Sequence, residues 1–337
     1  MDSLTQIVLG AAVGQAVLGK KVGNRAMLWG AIAGTIPDLD VLLKSVFDDI
    51  TSTEMHRGFS HSIVFAVLIA PVLGWIAHQI HKKKNKEASF KNWSWLFFWA
   101  TVTHPLLDAH TTWGTQFFWP FSYRLAYQNI FVVDPFYTVP FLILLIIAMF
   151  YNKSNPRRRI FNNTGLIIST TYMVFTLVLK WVTFNEFKDG LANNKIDYVE
   201  MDTKPAPFNT ILWTALVETE NGYRTADYSL FDSQDITFSQ EFSKNHYLLE
   251  PYLDQHVIQQ LINISAGWYF IEEADDKLIF WDLRFGQIGM DLDTAPFLWS
   301  YDLTVNEKGK VTAVKNKPKM DNVGKIFSEL MERIKGN

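Results

Sequence analysis

The chain has 337 residues with 31 Lys and Arg against 34 Asp and Glu, a net charge of -3 that gives no reason to expect nucleic acid as a partner. It contains no cysteine, which excludes disulfides, thiolate catalysis and cysteine-ligated zinc and leaves His, Asp and Glu as the available metal ligands. The length suits two domains, and the long apolar runs are confined to residues 1–184.

The opening Met1-Asp2-Ser3-Leu4-Thr5-Gln6 lacks the basic stretch of a cleavable signal peptide. Residues 4–18 run into lysines instead of a cleavage site, so this segment reads as a retained first span. Further apolar runs cover 26–43, 62–80, 93–108, 131–151 and 164–184, predicting an α-helical polytopic membrane bundle of about six spans. Several runs are shorter than the ~20 residues of a free-standing span. Small-xxx-small pairs at Gly10/Gly14 and Gly30/Gly34 predict close helix packing, which tolerates short helices.

Loops 20–25, 81–92 and 152–163 carry twelve Lys and Arg, whereas 44–59 and 111–130 carry only Lys44, Arg57 and Arg124. The positive-inside rule makes the first set cytoplasmic and turns both termini outward, as expected of a multi-pass protein of the plasma (inner) membrane. Residues 185–337 then form an extracytoplasmic α+β domain, smaller than the membrane domain of 1–184. Strands are expected over 211–219 and 223–231, joined across Asn221-Gly222. Another is expected over 277–285 with Ile279, Trp281, Leu283 and Phe285 on one face, and a hairpin over 297–305 and 310–314. Helices are expected near 251–264 and 321–334.

Three motifs fall where predicted spans meet the outer surface: Pro37-Asp38-Leu39-Asp40, His56-Arg57-Gly58-Phe59-Ser60-His61-Ser62, and His104-Pro105-Leu106-Leu107-Asp108-Ala109-His110. Mixed imidazole and carboxylate sets suit divalent transition metals, and ionisable groups at membrane depth are functional suspects. His104 and Asp108, four apart, share a helix face. Asp38 and Asp40 sit where the second span unravels, and an irregular backbone there lets alternate carboxylates point the same way. Ser60 is placed to cap the third span. Each motif alone has a plainer reading, a solvated turn or an interfacial histidine; three helix ends carrying such groups at one edge do not.

These motifs, with Thr112-Trp113-Gly114 and Pro120, resemble the YdjM family of predicted membrane-bound metal-dependent hydrolases. The resemblance covers the membrane half and is most specific at 56–62. It implies a polytopic membrane protein with proposed metal ligands at Asp38, Asp40, His56, His61, His104 and Asp108. Many members carry a Thr-His pair in the first span where this chain has Thr5-Gln6, so Gln6 is not expected to be a ligand. The His-x-x-x-Asp element also looks like part of the zinc-dependent phospholipase C and nuclease group.

The expected cofactor is zinc, or manganese, as one or two ions that activate water. Asp134 and His110 are the candidate catalytic residues: Asp134 as general base or as partner of a ligand histidine, with helix N-capping before Pro135 as its alternative. Arg57 is the candidate for binding a substrate anion, its alternative being an ion pair with a site aspartate. Arg124 reads as an interfacial anchor beside Trp119, Phe121 and Tyr123. The expected function is a membrane-embedded hydrolase acting on a membrane lipid or another envelope-derived ester or phosphoester. The alternative is a non-catalytic metal-binding transporter or sensor; a conduction path needs polar groups through the inner halves of the spans, which offer little beyond Gln6, Gln15, Thr170 and Thr171.

Overall fold

The computed structural model describes residues 1–83, 87–274, 277–316 and 322–337. It divides into two compact units: Met1–Leu42, Met55–Leu179 and Pro207–Asn209 form one, and Leu43–Glu54, Lys180–Ala206 and Thr210–Asn337 the other. The boundary within the long seventh helix lies five residues before residue 185, the start expected for the second domain.

The first unit is helical. α1 (Ser3–Val22) and α2 (Asn24–Thr35) form an antiparallel hairpin that reverses at Gly23, φ 64°, a left-handed backbone that glycine adopts without a Cβ clash. Their contact is backbone on backbone: a Cβ on Gly10 or Gly14 would collide with the carbonyl oxygens of Gly30 or Ala26. The small residues read from the sequence are thus the seam itself. Beyond α2 the chain bends by 44° into a 3-10 segment, Pro37–Ser45. A short α3 (Asp49–Met55) follows, then α4 (Ile63–His81), α5 (Phe90–Asp108), α6 (Pro135–Met149) and α7 (Pro156–Asn193). Ser62, not Ser60, caps α4, accepting from Phe65 N at 3.0 Å; the hydroxyl of Ser60 is engaged at Asp40.

α4 and α7 are long and apolar enough to cross a membrane, and the bent pair of α2 with the 3-10 segment makes a third candidate. α6 is apolar but short. Six spans are therefore met only in part. α1 and α5 differ for a physical reason: they are largely buried by neighbouring helices, with Val8, Leu9, Ala12 and Val13 of α1 and Trp93, Leu96, Phe97 and Ala100 of α5 in one core. A helix shielded by protein does not need the uniform hydropathy that lipid demands.

The second unit holds two antiparallel four-stranded sheets, β1-β2-β3-β4 and β5-β6-β7-β8. β1 (Glu200–Pro205), β2 (Leu212–Glu218), β3 (Gly222–Ser229) and β4 (Phe242–Ser243) form the first. The β2–β3 hairpin lies one residue from its expected register. Thr219 N bonds Gly222 O at 2.9 Å, so Glu220-Asn221 is the turn, and neither Asn221 nor Gly222 takes a positive φ. Gly222 is instead required by the close approach of Phe242 O from β4.

β5 (Tyr269–Ala274), β6 (Lys277–Gln287), β7 (Phe297–Val305) and β8 (Val311–Asn316) form the second sheet, with helices α8 (His256–Ser265) and α9 (Val323–Ile334). The simple alternation expected in β6 is not found. Leu283 joins the core with Leu216, Tyr223, Trp268 and Phe297, yet Phe280, Asp282 and Arg284 on the other face are buried too. Two charged residues tolerate burial there because Arg284 Nε and Nη2 grip the Asp282 carboxylate at 3.1 and 2.9 Å, a bidentate pair that satisfies both groups. Gln260 of α8 donates to Glu54 Oε2 at 2.8 Å, which accounts for residues 43–54 belonging to this unit.

Candidate metal centre

Asp38, His61, His104 and Asp108 each direct one ligand atom to a common point, all within 4.8 Å of one another. The break after α2 sets two of them. It lifts Asp38 into the irregular segment and leaves the Gly34 carbonyl to accept from His104 Nδ1 at 2.6 Å. A carbonyl only accepts, so Nδ1 carries the proton and Nε2 faces the cluster with a lone pair. His61 is oriented the same way: its Nδ1 lies 3.0 Å from Ser60 Oγ and 3.3 Å from Asp40 Oδ2. The Ser60 hydroxyl spends its own proton on Asp40 Oδ2 at 2.8 Å, so it accepts from His61.

The result is a crowd of electron-rich atoms. The two Nε2 atoms are 3.2 Å apart. Asp38 Oδ1 lies 3.4 and 3.3 Å from those of His61 and His104, and Asp108 Oδ2 lies 3.5 Å from each. In a tetrahedron the ligand-to-ligand edge is about 1.63 times the metal-to-ligand distance, so bonds of ~2.0–2.1 Å to His N and carboxylate O give edges of ~3.3–3.4 Å. The five separations above match that edge, and the donor chemistry is that of a borderline divalent ion. His61, His104 and Asp108 have side chains at 0% exposure, whereas Asp38 is 30% exposed, so the group opens on the Asp38 side.

Asp40 and His56 stand behind this cluster. Asp40 accepts from His56 Nδ1 at 2.8 Å and from the Arg57 backbone N at 3.0 Å, besides Ser60. Arg57, with φ 58°, adopts a strained left-handed backbone that sends its amide to Asp40 and its side chain the other way. Its Nε pairs with Asp108 Oδ2 at 3.1 Å and its Nη1 donates to Thr111 Oγ1 at 2.8 Å, so the guanidinium is engaged with a site aspartate. Arg124 holds the His56 carbonyl at 3.2 Å and lies over the Trp113 ring.

The two candidate catalytic residues lie outside the cluster. Asp134 Oδ1 caps α6, accepting from Phe136 and Tyr137 N at 2.8 and 3.1 Å, and Oδ2 accepts from Tyr172 at 2.9 Å. His110 Nδ1 bonds Asn129 Oδ1 at 2.8 Å.

Gln6, set aside as a ligand in the sequence, is a site residue of another kind. Its Nε2 donates to Asp108 Oδ1 at 2.8 Å and to the His104 carbonyl at 3.4 Å, and the Met1 amino group pairs with the same carboxylate. The signal available was its position, where relatives of the resembled family place histidine. Thr111 has no motif signature of its own and emerges only from its contact with Arg57.

A buried histidine and carboxylate group held by a bundle with apolar, span-length helices defines a membrane protein with a candidate metal centre. The chain belongs to the YdjM family: the family model described as YdjM inner membrane protein matches residues 1–186. The chain is similar to Inner membrane protein YbcI of Escherichia coli (strain K12), 28% identical over 147 residues that cover 41% of this chain and 82% of that protein. No solved structure matches it.

Proposed function

We propose that this protein is a membrane-embedded, metal-dependent hydrolase in which His61, His104 and Asp108 hold one divalent ion, zinc before manganese, with the fourth position, on the Asp38 side, left to water. The observation that carries this reading is the spacing of the His61, His104 and Asp108 ligand atoms, 3.2 to 3.5 Å apart, with Asp38 Oδ1 at 3.4 and 3.3 Å from the two histidines. A bound ion of this kind lowers the pKa of a water to near neutrality and supplies hydroxide. The chain's own part is positional. Gly34 O and Asp40 keep both imidazoles in the tautomer that offers Nε2, and partners of this sort raise ligand basicity. Arg57, Gln6 and the Met1 amine share the charge of Asp108. Asp38 Oδ1, at the exposed edge, is placed to accept a proton from a water entering there.

The substrate class we infer is a lipid or other envelope-derived ester or phosphoester. Leu39, Val41 and Leu42 beside the two aspartates are exposed, as are Phe59 next to the histidine motif and Trp119, which packs on it at 4.9 Å. A lipid can approach across such a surface without leaving the bilayer. Elemental analysis of purified protein tests the metal: wild type should hold it stoichiometrically, and His61→Ala and His104→Ala should lose it while remaining folded. A screen of lipid ester and phosphoester substrates tests the chemistry. Metal without hydrolysis of any of them favours the transporter or sensor alternative, and no metal in the wild type defeats both.

A further inference from the structure

At the other end of α1 from Gln6, about 20 Å away along the helix at 1.5 Å per residue, the first unit has a second feature that the metal centre does not use. The end of α1, the residues after α6 and the first turns of α7 enclose a cavity of about 580 Å³. Lys20, Lys21, Lys153, Arg158 and Arg159 line it, and among the described residues no carboxylate does. Charge bias between loops accounts for basic residues on one side of a membrane, but those residues need only be in water. Arg158 is not: it is 2% exposed.

Its guanidinium is held by neutral acceptors alone. Nε and Nη2 donate to Gln15 Oε1 at 2.9 and 2.7 Å, and Nη1 donates to the Tyr151 carbonyl at 2.8 Å. No ion pair to Arg158 is formed among the described residues; Glu87, outside the lining, reaches Lys153 at 3.6 Å between exposed side chains. A buried cation without an anion is costly, and a counter-charge arriving from outside the chain would offset that cost. Two further features point the same way. The positive end of the long α7 dipole lies at the cavity, its first amides capped by Asn155, which accepts from Arg157 N at 2.9 Å, and helix N-termini favour anions. Asn162, also in the lining and 1% exposed, leaves its Oδ1 without a partner, so a ligand hydroxyl or a protonated phosphate oxygen has an acceptor there.

We propose that this cavity binds a phosphate-bearing anion, with Arg158 as its buried anchor and Lys20, Lys153 and Arg159 as its rim. Guanidinium and ammonium groups around a helix N-terminus match a phosphodiester headgroup or a free phosphate equally well. The site does not depend on the metal reading, and its test has a separate readout.

The full-length protein in uncharged detergent micelles would be titrated with dioleoylphosphatidylglycerol, with dioleoylphosphatidylcholine as the uncharged control, and separately with inorganic phosphate against chloride at equal ionic strength. Thermal midpoint and native mass spectrometry report binding. Because Arg158 supports its surroundings, the variant is Lys20→Gln/Lys153→Gln/Arg159→Gln, whose side chains are exposed. Stabilisation and adduct formation with phosphatidylglycerol but not phosphate identify a lipid headgroup, and stabilisation by phosphate in lipid-free micelles identifies a soluble ligand; either bears the proposal out. The rim variant should bind about tenfold or more weakly, the loss expected when charge-assisted hydrogen bonds are removed, with metal content unchanged. No response to either anion, or undiminished binding by the rim variant, overturns it.

Discussion

Asp40 contributes no atom to the four-residue cluster, yet it accepts three hydrogen bonds, from His56, the Arg57 amide and Ser60, and lies 3.3 Å from His61 Nδ1. Asparagine in its place would turn an amide NH2 toward two of those donors and release the His61 ring from its tautomer. Asp40→Asn is expected to weaken metal affinity by about 10- to 100-fold, the range for partners of ligand histidines, as read by competition with a chelator at constant pH. Asp134 behaves differently because its carboxylate is used up in capping α6. Asp134→Ala should cost about 1 kcal/mol of stability and leave metal content intact; if metal were lost with the fold retained, the capping assignment would be wrong.

At the scale of elements, the α1–α2 seam holds the centre from behind, through the Gly34 carbonyl on His104. Gly10, Gly14, Gly30 and Gly34 allow the two backbones to meet, and that approach brings Gln6 to Asp108 and the Gly34 carbonyl to His104. Gly30→Leu would push a side chain into the Gly10 carbonyl. It should destabilise the membrane unit by at least the roughly 1–3 kcal/mol of an overpacked core. It should also lower metal occupancy, measured by elemental analysis of whatever folded protein remains. An exposed change on the same helix, Leu28→Ala at 59% exposure, should do neither.

At the scale of the whole molecule, the two units differ in the groups they bury. The second carries a buried lysine: Lys204 donates to the Arg284 carbonyl, and burial pushes its ammonium down to about 8. Between that value and the ~10.4 of an unfolded lysine, the unfolded chain binds more protons, so stability rises with pH. Above about 10 the trend should reverse, because burial raises Tyr223 and Tyr301 above their ordinary value while unfolded tyrosines ionise there. Denaturant midpoints of the full-length protein, followed by fluorescence of Trp213 and Trp268, should climb from pH 8 to 10. The climb should be shallower in Lys204→Met, and a flat wild-type profile would count against the lysine's burial.

The sequence by itself determined the elements that depend on local pattern: the apolar segments, the glycine seam, the i,i+4 pair of His104 and Asp108, the break at Pro37, and most strands of the second unit. These follow from periodicity and backbone stereochemistry, which neighbours in the chain fix. It also brought the three motifs under suspicion together. Only tertiary structure decided which donors share a point and which stand behind them, because Asp40 and Asp38 differ by two residues yet face different partners once α2 bends. Tertiary packing likewise gave Gln6 its place at Asp108, turned Arg57 and Arg124 to contacts within the protein, moved the β2–β3 turn by one residue where β4 presses on Gly222, and buried a charged pair in β6. In each case the deciding atom comes from a distant segment, and no local pattern encodes it.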